Sequence, residues 1–269
     1  MTPVEVIRGD GALVLGQPHG GTRLPEDIAA RLNRTGRALA DTDWHIGRLY
    51  DGLAPGATVV RATFHRYAID ANRDPSGGSL YPGQNTTGLV PLTDFDGRAI
   101  WAEGQEPSAE EVEARRAAFH APYHAALAAE LARVRARHGF AVLWDCHSIR
   151  SEIPFLFEGV LPALNIGTDG GRTCAPEIEA AAVGCAASSP YSSVLNGRFR
   201  GGWTTRHYGR PETGVHAIQM EIAQSAYLTE EAPPWSYDTR KADRLRRWLK
   251  HILDAVADAA AELPKDARP

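Results

Sequence analysis

Three polar clusters in this chain could do chemistry, and each sits at the end of a short apolar run. His19 follows 12–17, in Pro18-His19-Gly20-Gly21. Asp145-Cys146-His147-Ser148 continues directly from 140–144. Glu221 comes late in the alternating stretch 216–222. In open α/β sheets, ligands gather beyond the carboxyl ends of the strands. If the three runs are strands, the clusters share one face. Taken singly, each has an ordinary reading as a solvated loop histidine, a capped carboxylate or an ion pair within a sheet. Their equivalent positions argue for a site.

A catalytic zinc takes three protein ligands from His and carboxylate and keeps a position open for water. His19 and His147 are the best nitrogen ligands. The choice for the oxygen ligand is Asp43, in Asp41-Thr42-Asp43-Trp44-His45. Asp43 could instead cap a short helix, and Asp41 or His45 could replace it as ligand. Glu221 suits a general base that moves a proton from water to a leaving amine. Asp145 then orients a ligand histidine. No HExxH occurs, which excludes a helical zincin site.

Two arginine clusters accompany these residues. The first is Arg66-Tyr67-Ala68-Ile69-Asp70-Ala71-Asn72-Arg73, and the second is Thr205-Arg206-His207-Tyr208-Gly209-Arg210. The planar guanidinium fork binds carboxylates through two parallel hydrogen bonds. Near a metal such arginines can clamp substrate or stabilise an oxyanion. A substrate with two carboxylates could use both clusters. Ser148 lacks a GxSxG elbow and reads as a hydrogen-bonding residue. Cys146 alternates with Asp145 and His147 and so points away from them. The glycines at 20, 21, 201 and 202 fit no nucleotide-binding loop.

The elements that must position these residues alternate between strand-like runs and helical periodicity. This predicts an α/β fold with a mixed central sheet flanked by helices. Strands are expected at 12–17, 57–64, 140–144 and 216–222, with strand-like pieces at 155–157 and 164–166. A polar helix is expected over 25–34, and a short one after Asp43 carries Ile46, Leu49, Tyr50 and Leu53. Ser108 and Glu111 form a capping box for a long helix with Val112, Phe119, Tyr123, Leu127, Leu131 and Val134 on one face. His138-Gly139 ends that helix. A last amphipathic helix spans 239–262, and the tail 264–269 is expected to fray. Residues 74–106 form a loop long enough to suggest function. No linker divides the chain, so residues 1–269 read as one domain.

With 43% hydrophobic and 23% charged residues, the 269-residue chain can bury a full core. A formal charge of -4 supplies no basic field for nucleic acid, so an anionic substrate must be met by local arginines. Neither a signal peptide nor a membrane-spanning stretch is visible. Three cysteines without a CxxC point to reduced thiols and a cytoplasmic location. The oligomeric state is not fixed by these features.

Several long strings carry a resemblance. They are PHGGTRLP at 18–25, DTDWHIGRLYD at 41–51, RYAIDANR at 66–73, SLYPGQNTTGL at 79–89, LWDCHSIRSEIP at 143–154, LNGRFRGGWTTRHYGRP at 195–211 and HAIQMEIAQSAY at 216–227. In this order they resemble the N-formylglutamate amidohydrolase (N-formylglutamate deformylase) family, over about 13–250. The resemblance implies a zinc-carboxypeptidase-like (phosphorylase/hydrolase-like) fold with an eight-stranded type of sheet. It also implies Zn²⁺ or another divalent transition metal, and hydrolysis of N-formyl-L-glutamate to formate and L-glutamate in histidine degradation. Asn72-Arg73 is similar to the carboxypeptidase dipeptide that grips a terminal carboxylate, His147-Ser148 to the second ligand histidine and its serine, and Glu221 to the base. Thr22 stands where carboxypeptidases place a ligand Glu, so the carboxylate ligand must come from elsewhere. On this reading Arg66 stabilises the oxyanion, Asn72 and Arg73 hold the α-carboxylate, and Arg206 or Arg210 holds the side-chain carboxylate. Another N-acyl amino acid as substrate, or a non-catalytic protein binding acidic amino acids, are the competing expectations.

Overall fold

The computed structural model describes residues 2–78, 83 and 85–263. The expected fraying of 264–269, and residues 79–82 and 84 of the string at 79–89, lie outside the described residues. In chain order the elements are β1 (Val4–Ile7), β2 (Leu13–Gln17), α1 (Glu26–Arg31), α2 (Arg34–Arg37), α3 (Ile46–Tyr50), β3 (Thr58–Ala62), α4 (Ala109–Arg115) and α5 (Ala121–His138). There follow β4 (Ala141–Ile149), β5 (Leu164–Gly167), α6 (Pro176–Ala187), β6 (Ser193–Leu195), α7 (Trp203–Tyr208), β7 (Val215–Ala223) and α8 (Thr239–Glu262).

Among the described residues, seven strands form one sheet in the order β1-β3-β2-β4-β7-β5-β6, where the resemblance implied an eight-stranded type. The central strands β3, β2, β4 and β7 are parallel. β1 lies antiparallel to β3, β5 lies antiparallel to β7, and β6 runs parallel to β5. The sheet is therefore mixed and flanked by helices, as expected.

Successive strand side chains point to opposite faces, and β4 and β7 use both. Val142, Trp144, Cys146, Ile218, Met220 and Ile222 join a core with Leu49, Ile178, Ala182, Leu245, Leu249 and Ile252 of α3, α6 and α8. Leu143 and Ala217 join the opposite core with Tyr123, Leu127, Leu131 and Val134 of α5. Cys146 is thus turned away from its polar neighbours, as alternation predicts. Asp145, His147, Gln219 and Glu221 share the α5 parity and sit beyond its apolar layer.

The expected strand at 140–144 stops too early. β4 continues to Ile149, because β7 pairs with it in register through His147↔Glu221 to Ile149↔Ala223. The polar tetrad therefore lies inside a ladder, and all nine residues of β4 are buried. The strand-like residues 155–157 form a turn with no ladder partner. The Ser108 capping box forms as read, and Gly139 ends α5 in a left-handed conformation at φ 81°. A π-helical turn at Arg116–His120, which the periodicity did not reveal, separates α4 from α5. Helices α6 and α7 were not anticipated either. Residues 74–106 hold no helix or strand among those described, only isolated bridges.

Candidate metal centre and active-site cavity

β2, β4 and β7 are neighbours whose carboxyl ends point the same way. They bring His19, His147 and Glu221 to one cavity. Two close approaches fix the exit from β2. A Cβ on Gly20 would meet Ile46 Cγ2 at 2.8 Å, and one on Gly21 would meet the Phe64 carbonyl oxygen at 2.5 Å. The chain then returns through Asp43, whose backbone N donates to the His19 carbonyl at 3.1 Å. Asp43 Oδ2 accepts from Ser148 N at 3.0 Å, which ties the turn before α3 to β4.

Three ligand-type atoms converge here. His19 Nδ1 and His147 Nδ1 face each other at 3.2 Å. Asp43 Oδ2 lies 3.3 Å from His147 Nδ1 and 3.9 Å from His19 Nδ1. All three residues are buried, and they form a candidate metal-binding group. Tetrahedral ligands at about 2.0–2.1 Å from a shared zinc stand roughly 3.3 Å apart, so the spacing suits an ion.

The protonation pattern suits one as well. His19 Nε2 donates to Asp70 Oδ1 at 2.6 Å, which leaves the Nδ1 lone pair toward the cluster. Burial raises the Asp70 carboxyl, but Arg66, Arg73 and His19 outweigh it and hold the group well below the usual range. Asp145 Oδ1 is buried without a hydrogen-bond partner among the described residues and lies 3.1 Å from His147 Nε2. A proton on that nitrogen satisfies the orphaned oxygen and frees His147 Nδ1 as a ligand. Metal-bound imidazoles characteristically pass their second N–H to a carboxylate in this way.

The alternatives to Asp43 are engaged elsewhere. Asp41 accepts from Tyr67 Oη at 2.9 Å and from Phe95 N at 3.0 and 3.2 Å, and burial pushes its carboxyl up to about 6. His45 has φ 60°, and its Nε2 donates to the Trp235 carbonyl at 2.8 Å. Neither Asp41 nor Asp43 caps α3, whose N-cap position is His45 without a side-chain cap.

Glu221 stands beside His147 across the parallel ladder and lines the cavity. Burial, moderated by His147, pushes its carboxyl up to about 8. Gln219 bridges to it. Gln219 Nε2 donates to Glu221 Oε2 at 3.2 Å, and Gln219 Oε1 accepts from Gly202 N at 2.6 Å. Arg66 is buried against Asp70 Oδ2, and its Nε has no hydrogen-bond partner among the described residues. Arg73 donates from Nε to the Thr87 carbonyl and from Nη2 to Thr87 Oγ1, both at 2.9 Å.

Asn72 lines the cavity but is also built into the scaffold. Its Oδ1 accepts from Thr204 N at 2.8 Å, and its Nδ2 faces His147 Nε2 at 3.1 Å. Two histidines of the α5 region grip the flanking carbonyls. His124 Nε2 donates to Ala71 O at 2.7 Å, and His120 Nε2 donates to Arg73 O at 3.0 Å.

Arg206 and Arg210 do not reach the cavity, contrary to the expectation that one of them meets a substrate carboxylate. Arg206 lies on α7 and Arg210 just past its end. Arg206 pairs with Asp169 and the Gly201 carbonyl, and Arg210 folds back on the carbonyls of Arg206 and Gly209. The arginine that does line the cavity from this segment is Arg198. Ser148 Oγ accepts from Tyr227 Oη at 2.7 Å, in keeping with a hydrogen-bonding role. Asp70, Gln219 and the histidine pair were missed. A signal existed for the last, since His120 and His124 are one helical turn apart on the helix's inner face.

A family model described as N-formylglutamate amidohydrolase matches residues 11–228. A protein of Pseudomonas aeruginosa named N-formylglutamate deformylase is 47% identical over 251 residues, covering 93% of this chain and 94% of that protein. One of the same name from Pseudomonas putida is 45% identical over 252 residues, with coverage of 93% and 94%. The crystal structure of an N-formylglutamate amidohydrolase from Ralstonia eutropha JMP134 superposes with a TM-score of 0.77 at 25% identity, over 95% of this chain and 97% of that one. A gene product of Agrobacterium tumefaciens, at 19% identity and a TM-score of 0.73, shares the fold over 96% of both chains.

Proposed function

This chain belongs to the N-formylglutamate amidohydrolase family, and from that membership and the cavity's geometry we propose that it hydrolyses N-formyl-L-glutamate to L-glutamate and formate. Residues 1–269 act as one catalytic domain, in the cytoplasm, at the last step of a histidine degradation route. The observation that carries the reading is the convergence of His19 Nδ1, His147 Nδ1 and Asp43 Oδ2 beside Glu221 and three arginines in one cavity. None of the helices among the described residues is long and apolar enough to cross a membrane.

His19, Asp43 and His147 hold a divalent ion. Two imidazoles and a carboxylate suit Zn²⁺ best, with another transition metal as the alternative. Such an ion supplies Lewis-acid polarisation of an amide carbonyl and acidifies water. Asp70 keeps His19 in the tautomer that presents Nδ1, and Asp145 does the same for His147.

Glu221 takes a proton from the attacking water at a carboxylate oxygen. As the C–N bond breaks, it delivers that proton to the amine nitrogen of the departing glutamate. A carboxyl pushed up to about 8 by burial holds the proton long enough to pass it on. The Arg66 guanidinium donates to the oxygen on which negative charge develops. Arg73 holds the α-carboxylate, and Asn72, whose Oδ1 accepts from Thr204 N, fixes the loop that presents it.

The test is release of the free amino acid by the purified, zinc-supplemented protein from a panel of N-formyl, N-acetyl and N-carbamoyl amino acids. N-formyl-L-glutamate should have the highest kcat/KM. A preference for an acetyl or carbamoyl compound, or no turnover of any, would overturn the assignment.

A further inference from the structure

Among the described residues, three guanidinium groups line the cavity, those of Arg66, Arg73 and Arg198. N-formyl-L-glutamate carries two carboxylates, and Arg66 and Arg73 both face Asp70, with Arg73 Nη1 3.6 Å from its Oδ2. That contact places Arg73 within the shell around the metal cluster. The α-carboxylate is attached to the carbon that bears the scissile amide, so with Arg66 facing the oxyanion, Arg73, the next arginine out from the cluster, meets it.

Resting on the deformylase reading, we propose that Arg198 is the specificity-determining residue that binds the substrate's side-chain carboxylate. Three observations carry this assignment. The first is the orientation of the Arg198 fork. Its Nε donates to the Leu156 carbonyl at 3.0 Å and its Nη2 to the Asn85 carbonyl at 3.2 Å. These two main-chain contacts hold the guanidinium in place at the cavity wall.

The second is spacing. Arg73 and Arg198 grip carbonyls two residues apart, those of Thr87 and Asn85. A chain step of two residues spans at most about 7 Å. The two carboxyl carbons of glutamate, joined through three carbons, stand roughly 5 Å apart when extended, given C–C bonds near 1.5 Å. One arginine per carboxylate therefore fits, with each guanidinium just outside its partner. The third is the wall beside Arg198. Leu156, Phe199 and Ile149 line the cavity there and offer an apolar surface to the substrate's methylene groups.

The test compares kcat/KM for N-formyl-L-glutamate and its neutral isostere N-formyl-L-glutamine, using zinc-loaded wild type, Arg198→Gln and Arg198→Lys. Zinc content and thermal midpoint serve as folding checks. Removing one partner of a desolvated charge pair costs roughly 100-fold. Arg198→Gln should lower kcat/KM for formylglutamate by about that factor, mainly through KM. Preference for glutamate over glutamine should collapse with it, and Arg198→Lys should fall between. Arg73→Gln should instead depress both substrates together. If wild type deformylates but Arg198→Gln keeps the wild-type preference, Arg198 does not bind the side-chain carboxylate. Failure of wild type on both substrates overturns the deformylase reading and this assignment with it.

Discussion

Glu221 is a carboxyl that burial pushes up to about 8, next to the imidazole of His147. It contributes none of the three converging ligand atoms. Glu221→Gln should therefore retain one zinc per chain while kcat falls about 10²- to 10⁴-fold, the range for loss of a positioned general base. Metal analysis together with single-turnover kinetics checks both halves. Near-wild-type turnover would assign the proton transfer to another group. His19, His147 and Glu221 could be read from sequence because each ends or nearly ends an apolar run. The choice of Asp43 over Asp41 and His45 could not. It depends on the left-handed turn at His45 and on Tyr67 and Phe95 engaging Asp41, contacts that no periodicity encodes. Asp70 and Gln219 escaped for the same reason, since their partners His19 and Gly202 lie 51 and 17 residues away.

The helix packed against the sheet's catalytic face does more than cover it. Across the π-helical turn, His120 and His124 hold the carbonyls on either side of Asn72. Burial pushes His124 down to about 3, and its neutral ring donates from Nε2 to Ala71 while Nδ1 accepts from Tyr208 Oη at 3.0 Å. The sign follows directly. Between about 3 and 6.5 the unfolded chain binds a proton at this position that the folded chain refuses, so stability falls as pH drops below 6.5. From pH 6.5 to 4.5 the loss is on the order of 2–3 kcal/mol. Urea melts of wild type and His124→Gln should diverge in slope over that interval, with the glutamine variant flatter because its amide can donate and accept without titrating. Parallel curves would remove His124 as the source. At this scale the sequence was a good guide to element ends with local chemistry. The Ser108 capping box, the Gly139 stop and the limits of α8 all stand where side-chain rules put them. It was a poor guide where the ladder decides, as in β4, whose hydrogen bonds to β7 carry it five residues past its apolar run.

Over the whole molecule, the sheet order depends on pairings between distant segments, so the mixed class was readable and the arrangement β1-β3-β2-β4-β7-β5-β6 was not. The edge strands β1 and β6 have only four and three residues, too short to show a period. The metal cluster joins the same distant segments, at residues 19, 43 and 147. Without a cation, two imidazole nitrogens and a carboxylate oxygen crowd a buried space, with the nitrogens 3.2 Å apart. An ion at that point binds only the folded chain and so adds RT ln(1 + [L]/Kd) to stability. This is about 2.7 kcal/mol when free metal is a hundred times Kd. At about 2–4 °C per kcal/mol in a chain of this size, zinc should raise the thermal midpoint by roughly 5–10 °C over chelated protein, and formate release should return with it. His147→Ala should respond to neither chelator nor zinc, which separates a specific centre from metal bound at the surface. Full activity and an unmoved midpoint after exhaustive chelation would mean that the three atoms converge without an ion.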